Sequence, residues 1–357
     1  MAFLVMGSLN YDDNYFLDHI VMPGETIASQ TMESACGGKG FNQAVALAKA
    51  GAEVYLAGLV GEADGACICQ EARENGIKDT FLGKKEGYTG KAIIQIDQAG
   101  QNSIVLFGGA NRKWTLEYVD KVLEHFQAED ILILQNEINV TAEIITKAWE
   151  KGMKIVLNPS PFEEKILNWP LEKVSLFLLN EVEGGQMTGE KEPEKILKRL
   201  QAKYPNAAFV LTYGGKGAWY VGNGETVYCP AKKVKVIDTT AAGDTFTGYF
   251  LSARGRGYGV EESLKKATAA AGEAVTRKGA AVSIPCWKEL EEKYDGLHFT
   301  KLMDQGDYIK MIVDSVISNL LWGALLAIVV LFLFLQDIRP TVVVAFSIPL
   351  SVLFAIV

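Results

Sequence analysis

The sequence predicts an α/β fold with a mostly parallel central sheet, followed by a truncated membrane-spanning tail. Short β-rich apolar runs alternate with amphipathic stretches through residues 1–296, which is the pattern of strand–helix units. The chain has 357 residues, is 49% hydrophobic and carries a formal net charge of −8. This apolar content excludes a disordered chain, and the acidic balance excludes a nucleic-acid partner held by bulk charge.

Buried strands and amphipathic helices can be assigned in chain order. The apolar runs that predict strands are residues 2–6, 54–59, 131–134, 154–157, 176–179 and 208–212. The stretches that predict helices are residues 42–50, 66–75, 116–126, 142–151, 194–203, 244–253 and 261–275. No internal repeat or low-complexity linker divides them.

Two regions, residues 15–32 and 90–106, interrupt this alternation. Within the second region, residues 91–96 and 103–106 are predicted to pair as strands around the turn Asp97-Gln98-Ala99-Gly100. These strands could form a small accessory sheet outside the main layer.

The cysteines and histidines indicate neither a disulfide scaffold nor a zinc site. The five cysteines form no CxxC pair, and the three histidines lie far apart in the sequence. A reducing cytosol fits this pattern best. The N-terminus lacks a basic region and a long apolar core, so it is interpreted as a buried strand rather than a signal peptide.

Two glycine-rich segments could bring backbone N–H groups close to a phosphate. Gly37-Gly38-Lys39-Gly40 and Gly214-Gly215-Lys216-Gly217 resemble fragments of a P-loop, but no Ser or Thr follows either lysine. A Walker-type NTPase is therefore disfavoured. A nicotinamide enzyme is disfavoured as well, because no GxGxxG fingerprint follows the first strand.

The most informative segment is residues 238–248, DTTAAGDTFTG. Small residues run directly into a predicted helix, so the N–H groups of Ala242, Gly243 and Asp244 can converge on an anion with support from the helix dipole. Asp244 is well placed there to accept a proton from a substrate hydroxyl. The alternative is that Asp244 is only an N-terminal cap.

Five further segments accompany it in order: residues 7–12, 37–44, 158–161, 180–183 and 274–280. Together with residues 238–248 they closely resemble the ribokinase family, within the phosphofructokinase-B-like sugar and nucleoside kinases. The resemblance extends from about residue 3 to residue 294. It implies a three-layer fold with a small β lid, formed by about residues 11–35 and 88–110, and a kinase domain over residues 1–296.

The resemblance implies ATP-dependent phosphorylation of D-ribose at its 5-hydroxyl, and another sugar or a nucleoside is the alternative substrate. Asp244 would be the catalytic base, Ala241, Ala242 and Gly243 would form the anion hole, and Mg²⁺ would bridge the ATP phosphates. The positions that match sugar-binding residues, besides Asp244, are Asn10, Asp12, Gly38, Lys39, Gly40, Phe41, Asn42 and Glu137. Taken alone, Asn10 and Asp12 would be better explained as an ordinary turn after a strand, and Lys39 as a solvated loop lysine.

Further positions match the family's nucleotide and cation sites. The ATP-binding matches are Asn180, Thr212, Tyr213, Gly214, Gly215, Lys216, Gly217, Gly243 and Thr268, with Glu183 near the Mg²⁺-bound phosphates. Asn180 and Glu183 would also form a capping box, and helix packing is the rival explanation for Thr268. The matches to a K⁺ site made mostly of backbone carbonyls are Asp238, Thr240, Ala274, Arg277, Gly279 and Ser283.

The same resemblance implies a lid that closes over the sugar and pairs between subunits, so a homodimer is expected. The residues at Tyr11 and in the segment 107–111 need not be the same in every ribokinase. The identity of the sugar substrate is therefore left slightly open. The Arg277 and Lys278 side chains could form a surface charge pair. A cytoplasmic location is expected for the kinase portion.

The C-terminal tail has a different character. Residues 316–335 form an uncharged run of about 20 residues, enough to cross a bilayer, and residues 341–357 begin a second apolar run. A core helix is the alternative for the first run, although such helices normally keep a polar face. The tail, if expressed, would direct the chain to the cell membrane.

Residues 297–357 resemble a fragment of a resistance-nodulation-division efflux transporter. The segments that carry this resemblance are residues 303–309, 334–341 and 347–351. Both apolar runs lack the intramembrane acids of a proton-driven pump, so transport by this chain is implausible. We hypothesise that the kinase portion and the transporter-like tail were joined accidentally near residues 295–298. The alternative is a membrane-anchored or transporter-derived protein. An intact genomic read across this junction, followed by a full-length protein, would refute the accidental join.

Overall fold

The computed structural model describes residues 1–293 and residue 330. A nine-stranded sheet forms the centre of the body, in the order β13-β12-β11-β10-β9-β8-β1-β4-β5. Its strands are β1 Phe3–Met6, β4 Val54–Gly61, β5 Lys78–Lys85, β8 Ile131–Leu134, β9 Lys154–Leu157, β10 Leu176–Asn180, β11 Ala208–Thr212, β12 Ala218–Gly222 and β13 Glu225–Cys229. The pairs from β5 to β11 are parallel, which confirms the predicted α/β fold.

Helices cover both faces of this sheet. They are α1 Lys39–Lys49, α2 Ala66–Glu74, α3 Leu116–Leu123, α4 Thr141–Glu150, α5 Glu181–Thr188, α6 Pro193–Lys203, α7 Ala242–Gly255, α8 Val260–Ala274 and α9 Trp287–Lys293. Leu4 and Met6 of β1 share a hydrophobic core with α3, α4 and α6 on one face. On the other face α1 packs against β1 and α7, and α7 packs against α8, which completes three layers.

The two strands at one edge form an antiparallel hairpin that the apolar runs did not predict. Asn223 and Gly224 join β12 to β13, and both have positive φ angles, of 53° and 77°. An Asn-Gly pair is favoured in a two-residue hairpin turn because both central residues must adopt positive φ.

A separate four-stranded sheet has the order β3-β2-β6-β7; it coincides with the predicted lid and is called the lid below. Its strands are β2 Asn10–Phe16, β3 Thr31–Gly37, β6 Gly90–Ile96 and β7 Asn102–Phe107. The predicted hairpin around residues 97–100 is present as β6 and β7. β2 continues the chain from β1, so the lid begins at the carboxyl edge of the central sheet.

Helix α9 packs against the body formed by the preceding residues. Its Leu290 is buried, and the Trp287 ring is stacked on Tyr249 with centroids 5.9 Å apart. Glu289 forms an ion pair with Arg277 over 2.9 Å. These contacts place residues 287–293 with the preceding domain.

Among residues 1–293 and 330, no helix is both long enough and apolar enough to cross a bilayer. The predicted span at residues 316–335 and the second apolar run lie outside the described residues. The membrane prediction is therefore neither confirmed nor contradicted by the fold.

Candidate active site

The candidate site lies at the carboxyl edge of the central sheet. The order in which strands are added reverses at β1, which pairs in parallel with β4 on one side and β8 on the other, and open α/β sheets bind ligands beside such a switch point. The topology brings four polar residues to this edge, because each lies at or just after the end of a parallel strand. They are Asn10 after β1, Glu137 after β8, Asn158 after β9 and Asn180 at the end of β10. The sequence separation of these residues hides this proximity.

Asp244 lies in the first turn of α7 and is buried. Ala241 precedes the helix in the left-handed conformation, with φ 58°, which turns the chain sharply into α7. Asp244 Oδ2 accepts a hydrogen bond from Asn42 Nδ2 over 3.3 Å, and Oδ1 accepts one from Gln43 Nε2 over 2.9 Å. Each carboxylate oxygen therefore has one side-chain donor from α1, which is more than a simple helix cap provides.

The start of α1 is fixed against β1 and the loop after β8. Glu137 Oε2 accepts from Ser8 Oγ and, over 3.1 Å, from the backbone N–H of Lys39. A Cβ on Gly40 would lie 2.6 Å from the backbone of Gly7 and Ser8, so only glycine permits this approach. The close packing brings the backbone of Lys39 against the carboxylate of Glu137.

Four carboxylates surround Lys39. Burial favours the neutral amine, but the carboxylates of Asp244, Glu137, Glu183 and Asp12 outweigh it and raise the pKa of Lys39. For Asp12, burial and then the negative charges of Glu137 and Asp244 raise the pKa to about 7. Lys39 is therefore held as a cation among acids rather than as a solvated loop lysine.

Asn10 is positioned by a residue that the sequence analysis left unassigned. Asn111 donates from Nδ2 to Asn10 Oδ1 over 2.8 Å, and its amide also bonds the backbone N–H and C=O of Leu9. A Cβ on Gly90 would lie 2.1 Å from Asn10 Oδ1. These contacts hold Asn10 where β1 passes into the lid.

A cavity of about 200 Å³ opens beside Asp244. Of the predicted site residues, those that line it are Lys39, Asn180, Glu183, Thr212, Ala241, Ala242, Gly243 and Asp244. A Cβ on Gly243 would meet no atom within 4 Å, so open space faces the helix N-terminus. The Ala242 N–H donates to Thr239 O over 3.2 Å, so it would have to exchange that bond to reach a phosphate oxygen.

Asn180 and Glu183 form the predicted capping box at the start of α5. Asn180 Oδ1 accepts from the backbone N–H of Val182 and Glu183, and Glu183 Oε2 accepts from the Asn180 N–H over 3.0 Å. Glu183 is buried, yet it lines the cavity. Asn180 and Glu183 therefore cap α5 and also line the cavity, where a ligand could contact them.

A second cavity, of about 440 Å³, adjoins the first and shares Thr212, Ala242 and Gly243 with it. Predicted ATP-binding residues in its lining are Thr212, Gly214, Gly215, Gly217, Gly243 and Thr268. Most of the remaining lining is apolar, including Val234, Val236 and Val275. An apolar chamber that opens onto a helix N-terminus suits a flat base joined to phosphates.

Three predicted site residues direct their side chains elsewhere. Tyr213 packs edge-on against Trp219, with centroids 6.1 Å apart, and Lys216 lies over the Tyr213 ring. Neither residue lines the two cavities. Phe41 is fully buried, so its ring belongs to the core and only its backbone can face a ligand.

The predicted cation positions are partly brought together. Asp238 Oδ2 accepts from the Gly279 N–H over 2.9 Å, and Oδ1 accepts from Thr240 Oγ1 over 2.6 Å. Arg277 forms ion pairs with the buried Glu273 and with Glu289, so its guanidinium is engaged by acids. The Ala274 carbonyl accepts from the Arg277 N–H, and Ser283 donates to Ala280 O.

Sequence reasoning missed Gln43 and Gln135 as site residues. Both are buried polar side chains, and Gln43 lies between buried residues of α1. A polar residue at a core position was the signal that could have identified them, because buried amides need hydrogen-bond partners.

Comparison with known proteins supports a sugar kinase. Residues 3–287 match the family model described as pfkB family carbohydrate kinase, and residues 288–357 match the AcrB/AcrD/AcrF family. The chain is 33% identical over 299 residues to the ribokinase of Haemophilus influenzae, covering 81% of this chain and 96% of that protein. It is 32% identical over 292 residues to the ribokinase of Bacillus subtilis, covering 81% and 97%.

Solved structures agree with these sequence matches. A ribokinase of Cryptococcus neoformans in complex with ADP aligns with a TM-score of 0.71 and 32% identity, covering 82% of this chain and 99% of that one. An Arabidopsis thaliana ribokinase complexed with ribose and ATP aligns with a TM-score of 0.71 and 29% identity, with the same coverage. The AcrB/AcrD/AcrF match begins inside α9, although the contacts of α9 are with the kinase body.

Proposed function

The chain belongs to the pfkB family of carbohydrate kinases, and we propose that it transfers the γ-phosphoryl group of ATP to the 5-hydroxyl of D-ribose. The observation that carries the proposal is the placement of Asp244. Its buried carboxylate lies beside the open space at Gly243, where a polar cavity meets a more apolar one. The sugar would occupy the lid side of Asp244 and the nucleotide the second cavity.

In the proposed reaction, Asp244 accepts the proton of the sugar hydroxyl as its oxygen attacks the γ-phosphorus. The bond between that phosphorus and the β–γ bridging oxygen breaks, and ADP leaves. Asn42 and Gln43 hold the Asp244 carboxylate, while Lys39 and the N-terminus of α7 offset the negative charge at the transferring group. Alignment and charge stabilisation are the main requirements of phosphoryl transfer.

We assign sugar recognition to polar residues from β2, from α1 and from the loop after β8. Asn10, Asp12, Asn42 and Glu137 offer carboxylates and amides, which suit hydroxyl groups that both donate and accept. Asn42 Oδ1 is buried and has no hydrogen-bond partner among the described residues, so it can accept a bond from a sugar hydroxyl. The lid would exclude water from the reacting groups.

The residues present fit a magnesium ion held mainly by nucleotide phosphates. In residues 1–293 and 330, no group of three or more His, Cys, Asp or Glu side chains could hold a metal ion alone. Glu183 is the carboxylate in the cavity lining near Asn180, and Mg²⁺ typically combines one or two carboxylates with phosphates and water. When bound, the ion would neutralise phosphate charge.

We assign a K⁺ ion to the predicted K⁺ site, which includes the loop just before α7. The Asp238 carboxylate accepts from the Thr240 hydroxyl and from the Gly279 N–H, so this loop is tied to the segment that follows α8. The Asp238 N–H also donates to Val275 O over 3.2 Å. We assign this region the role of shaping the loop before Asp244.

We also propose that the lid forms a homodimer interface. Ile93 and Val105 face each other across β6 and β7 and are 40% and 57% exposed. They share the lid face that carries Asp13, opposite the face that carries Asp12. An exposed apolar face on a small sheet is typical of an association surface.

A substrate panel tests the function. The purified full chain, ATP and Mg²⁺ would be mixed separately with D-ribose, 2-deoxy-D-ribose, D-fructose and inosine, and ADP release would be measured. D-Ribose is expected to give the highest kcat/KM and a 5-phosphate product by phosphorus NMR. Preference for inosine would favour the nucleoside alternative, and ADP release without a phosphorylated sugar would refute the proposal.

A further inference from the structure

We infer that Gln43 and Gln135 form an amide relay that fixes the orientation of the Asp244 carboxylate. Both side chains are almost completely buried. Gln135 donates from Nε2 to Gln43 Oε1 over 2.7 Å, and Gln43 donates from Nε2 to Asp244 Oδ1 over 2.9 Å. The inference deepens the proposed function and rests on it, because it assigns positioning residues to the base of that reaction.

The direction of the amide relay follows from the chemistry of its end group. An ionised carboxylate can only accept hydrogen bonds, so Gln43 must present its NH₂ group to Asp244. Its carbonyl oxygen then points away from Asp244, and Gln135 must meet that oxygen with its own NH₂ group. The negative charge of Asp244 thus determines the orientation of two amides in series.

The far end of the amide relay supports a specific role for Gln135. Its Oε1 is buried with no hydrogen-bond partner among the described residues, and a Cβ on Gly7 would lie 2.2 Å from it. Leaving a buried acceptor unpaired destabilises the folded chain. An apolar side chain would avoid this cost, so the donor function of Gln135 toward Gln43 explains why an amide occupies the position.

The relay has a defined place among the neighbours of Asp244. Asn42 holds the other carboxylate oxygen, while Lys39 and Asp12 are the charged groups that act on Asp244 from α1 and β2. Gln43 Nε2 also contacts Asn158 Oδ1 over 3.4 Å. Gln135 touches Asp244 only through Gln43, so it is a positioning residue rather than a catalytic one.

The decisive variant is Gln135→Glu, compared with the matched variant Gln135→Met. An ionised carboxylate at position 135 would face Gln43 Oε1, so the Gln43 amide should turn and present its oxygen to Asp244. We expect kcat at pH 8 to fall about tenfold or more, because the base loses its fixed orientation. D-Ribose affinity by calorimetry should stay within about threefold of the wild type, since the sugar-binding residues are untouched.

The pH dependence separates this effect from a packing defect. Below the pKa of the introduced carboxyl its OH can donate to Gln43 Oε1, so the kcat deficit of Gln135→Glu should shrink as pH falls. Methionine cannot donate a strong hydrogen bond, so Gln135→Met leaves the Gln43 amide held only by Asp244 and Asn158 and should lower kcat about threefold to fivefold. Because methionine does not titrate, this loss should be the same at every pH, unlike the loss in Gln135→Glu.

Equal kcat losses and unchanged pH profiles in the two folded variants would overturn the relay. If Gln135→Glu does not fold, Gln43→Glu takes its place: the relay then predicts a kcat that rises toward acidic pH relative to the wild type, because a protonated carboxyl can donate to Asp244. An unchanged relative profile in that variant would overturn the relay. Failure of the proposed function is distinguishable, because the wild-type chain would then not phosphorylate D-ribose at all.

Discussion

The backbone N–H of Lys39 donates to Glu137 Oε2 over 3.1 Å and so joins the first turn of α1 to the loop after β8. The same carboxylate oxygen also accepts from Ser8 at the end of β1. One acidic side chain thus connects three segments that are far apart in the sequence. The proposed sugar site depends on this connection, because it sets where Lys39 lies among the surrounding carboxylates.

Gly243→Ala should separate activity from folding. No atom lies within 4 Å of a Cβ at this position, so the variant should unfold at a temperature close to the wild type. The methyl group would occupy the space assigned to the phosphoryl group, and kcat/KM for ATP should fall about 10²-fold. Gly259→Ala, at an exposed position that is equally open, is the control and should leave kcat/KM for ATP unchanged.

A drop in melting temperature for Gly243→Ala with normal kcat would contradict this assignment. Circular dichroism melting and steady-state kinetics measure the two quantities on the same preparations. The comparison matters because it tests the anion-binding role of the α7 N-terminus without touching Asp244.

Asp12→Asn should change how stability depends on pH. Burial, and then Glu137 and Asp244, raise the Asp12 pKa from 3.8 to about 7. Between these values the folded chain binds a proton that the unfolded chain has released, so the free energy of unfolding falls as pH rises. The slope from this group approaches about 1.4 kcal/mol per pH unit between pH 4 and pH 7.

In Asp12→Asn that contribution is absent, so the variant should gain stability relative to the wild type as pH rises through this window. Urea titrations at several pH values measure the difference. A stability difference that is constant with pH would show that the Asp12 pKa is not raised in the folded chain.

Val105→Asp should convert a lid-mediated dimer to a monomer. Val105 lies opposite Ile93 on the lid face away from Asp12, so a charge there should disrupt association with little direct effect on the sugar site. Light scattering coupled to gel filtration measures the mass. Gln101→Asp places the same charge at the exposed lid turn and should leave the mass unchanged; equal masses for both variants would contradict the proposed interface.

Truncation after Lys293 should leave ribose phosphorylation intact. The predicted site residue nearest the C-terminus is Ser283, and α9 is anchored by buried Leu290 and by the Arg277–Glu289 ion pair. We expect kcat and KM within about twofold of the full chain, because no described contact of the site involves later residues. Loss of activity with retained folding would assign the tail a role in catalysis.

Apolar runs in the sequence predicted the inner strands well, because strands covered on both faces need continuous apolar side chains. The predictions at residues 131–134 and 154–157 are confirmed as β8 and β9. β5 was missed because it is an edge strand with mixed polarity, and edge strands bury less surface. The hairpin β12–β13 was missed although the Asn223-Gly224 pair signals its turn.

The site was predictable where function had left a recognisable motif and less so where it depends on tertiary contacts. Asp244, Asn42 and Lys39 lie in such motifs, and the structure brings them together. Gln135 contacts Gln43 across two elements that are distant in sequence, so no local pattern reveals the contact. The hydrogen bond from the Ala242 N–H to Thr239 O was likewise not predictable, because the run of small residues does not specify the turn that forms it.

Replacing Asp244 tests the central claim most directly. Turnover of D-ribose with ATP and Mg²⁺ should be compared in the wild-type chain, Asp244→Asn and Asp244→Ala, with sugar binding measured in parallel by calorimetry. The account predicts a fall in kcat of about 10²–10⁴-fold or more in both variants with largely preserved ribose binding, because the proton acceptor is lost while the other sugar contacts remain. Substantial residual turnover in folded Asp244→Ala would contradict it.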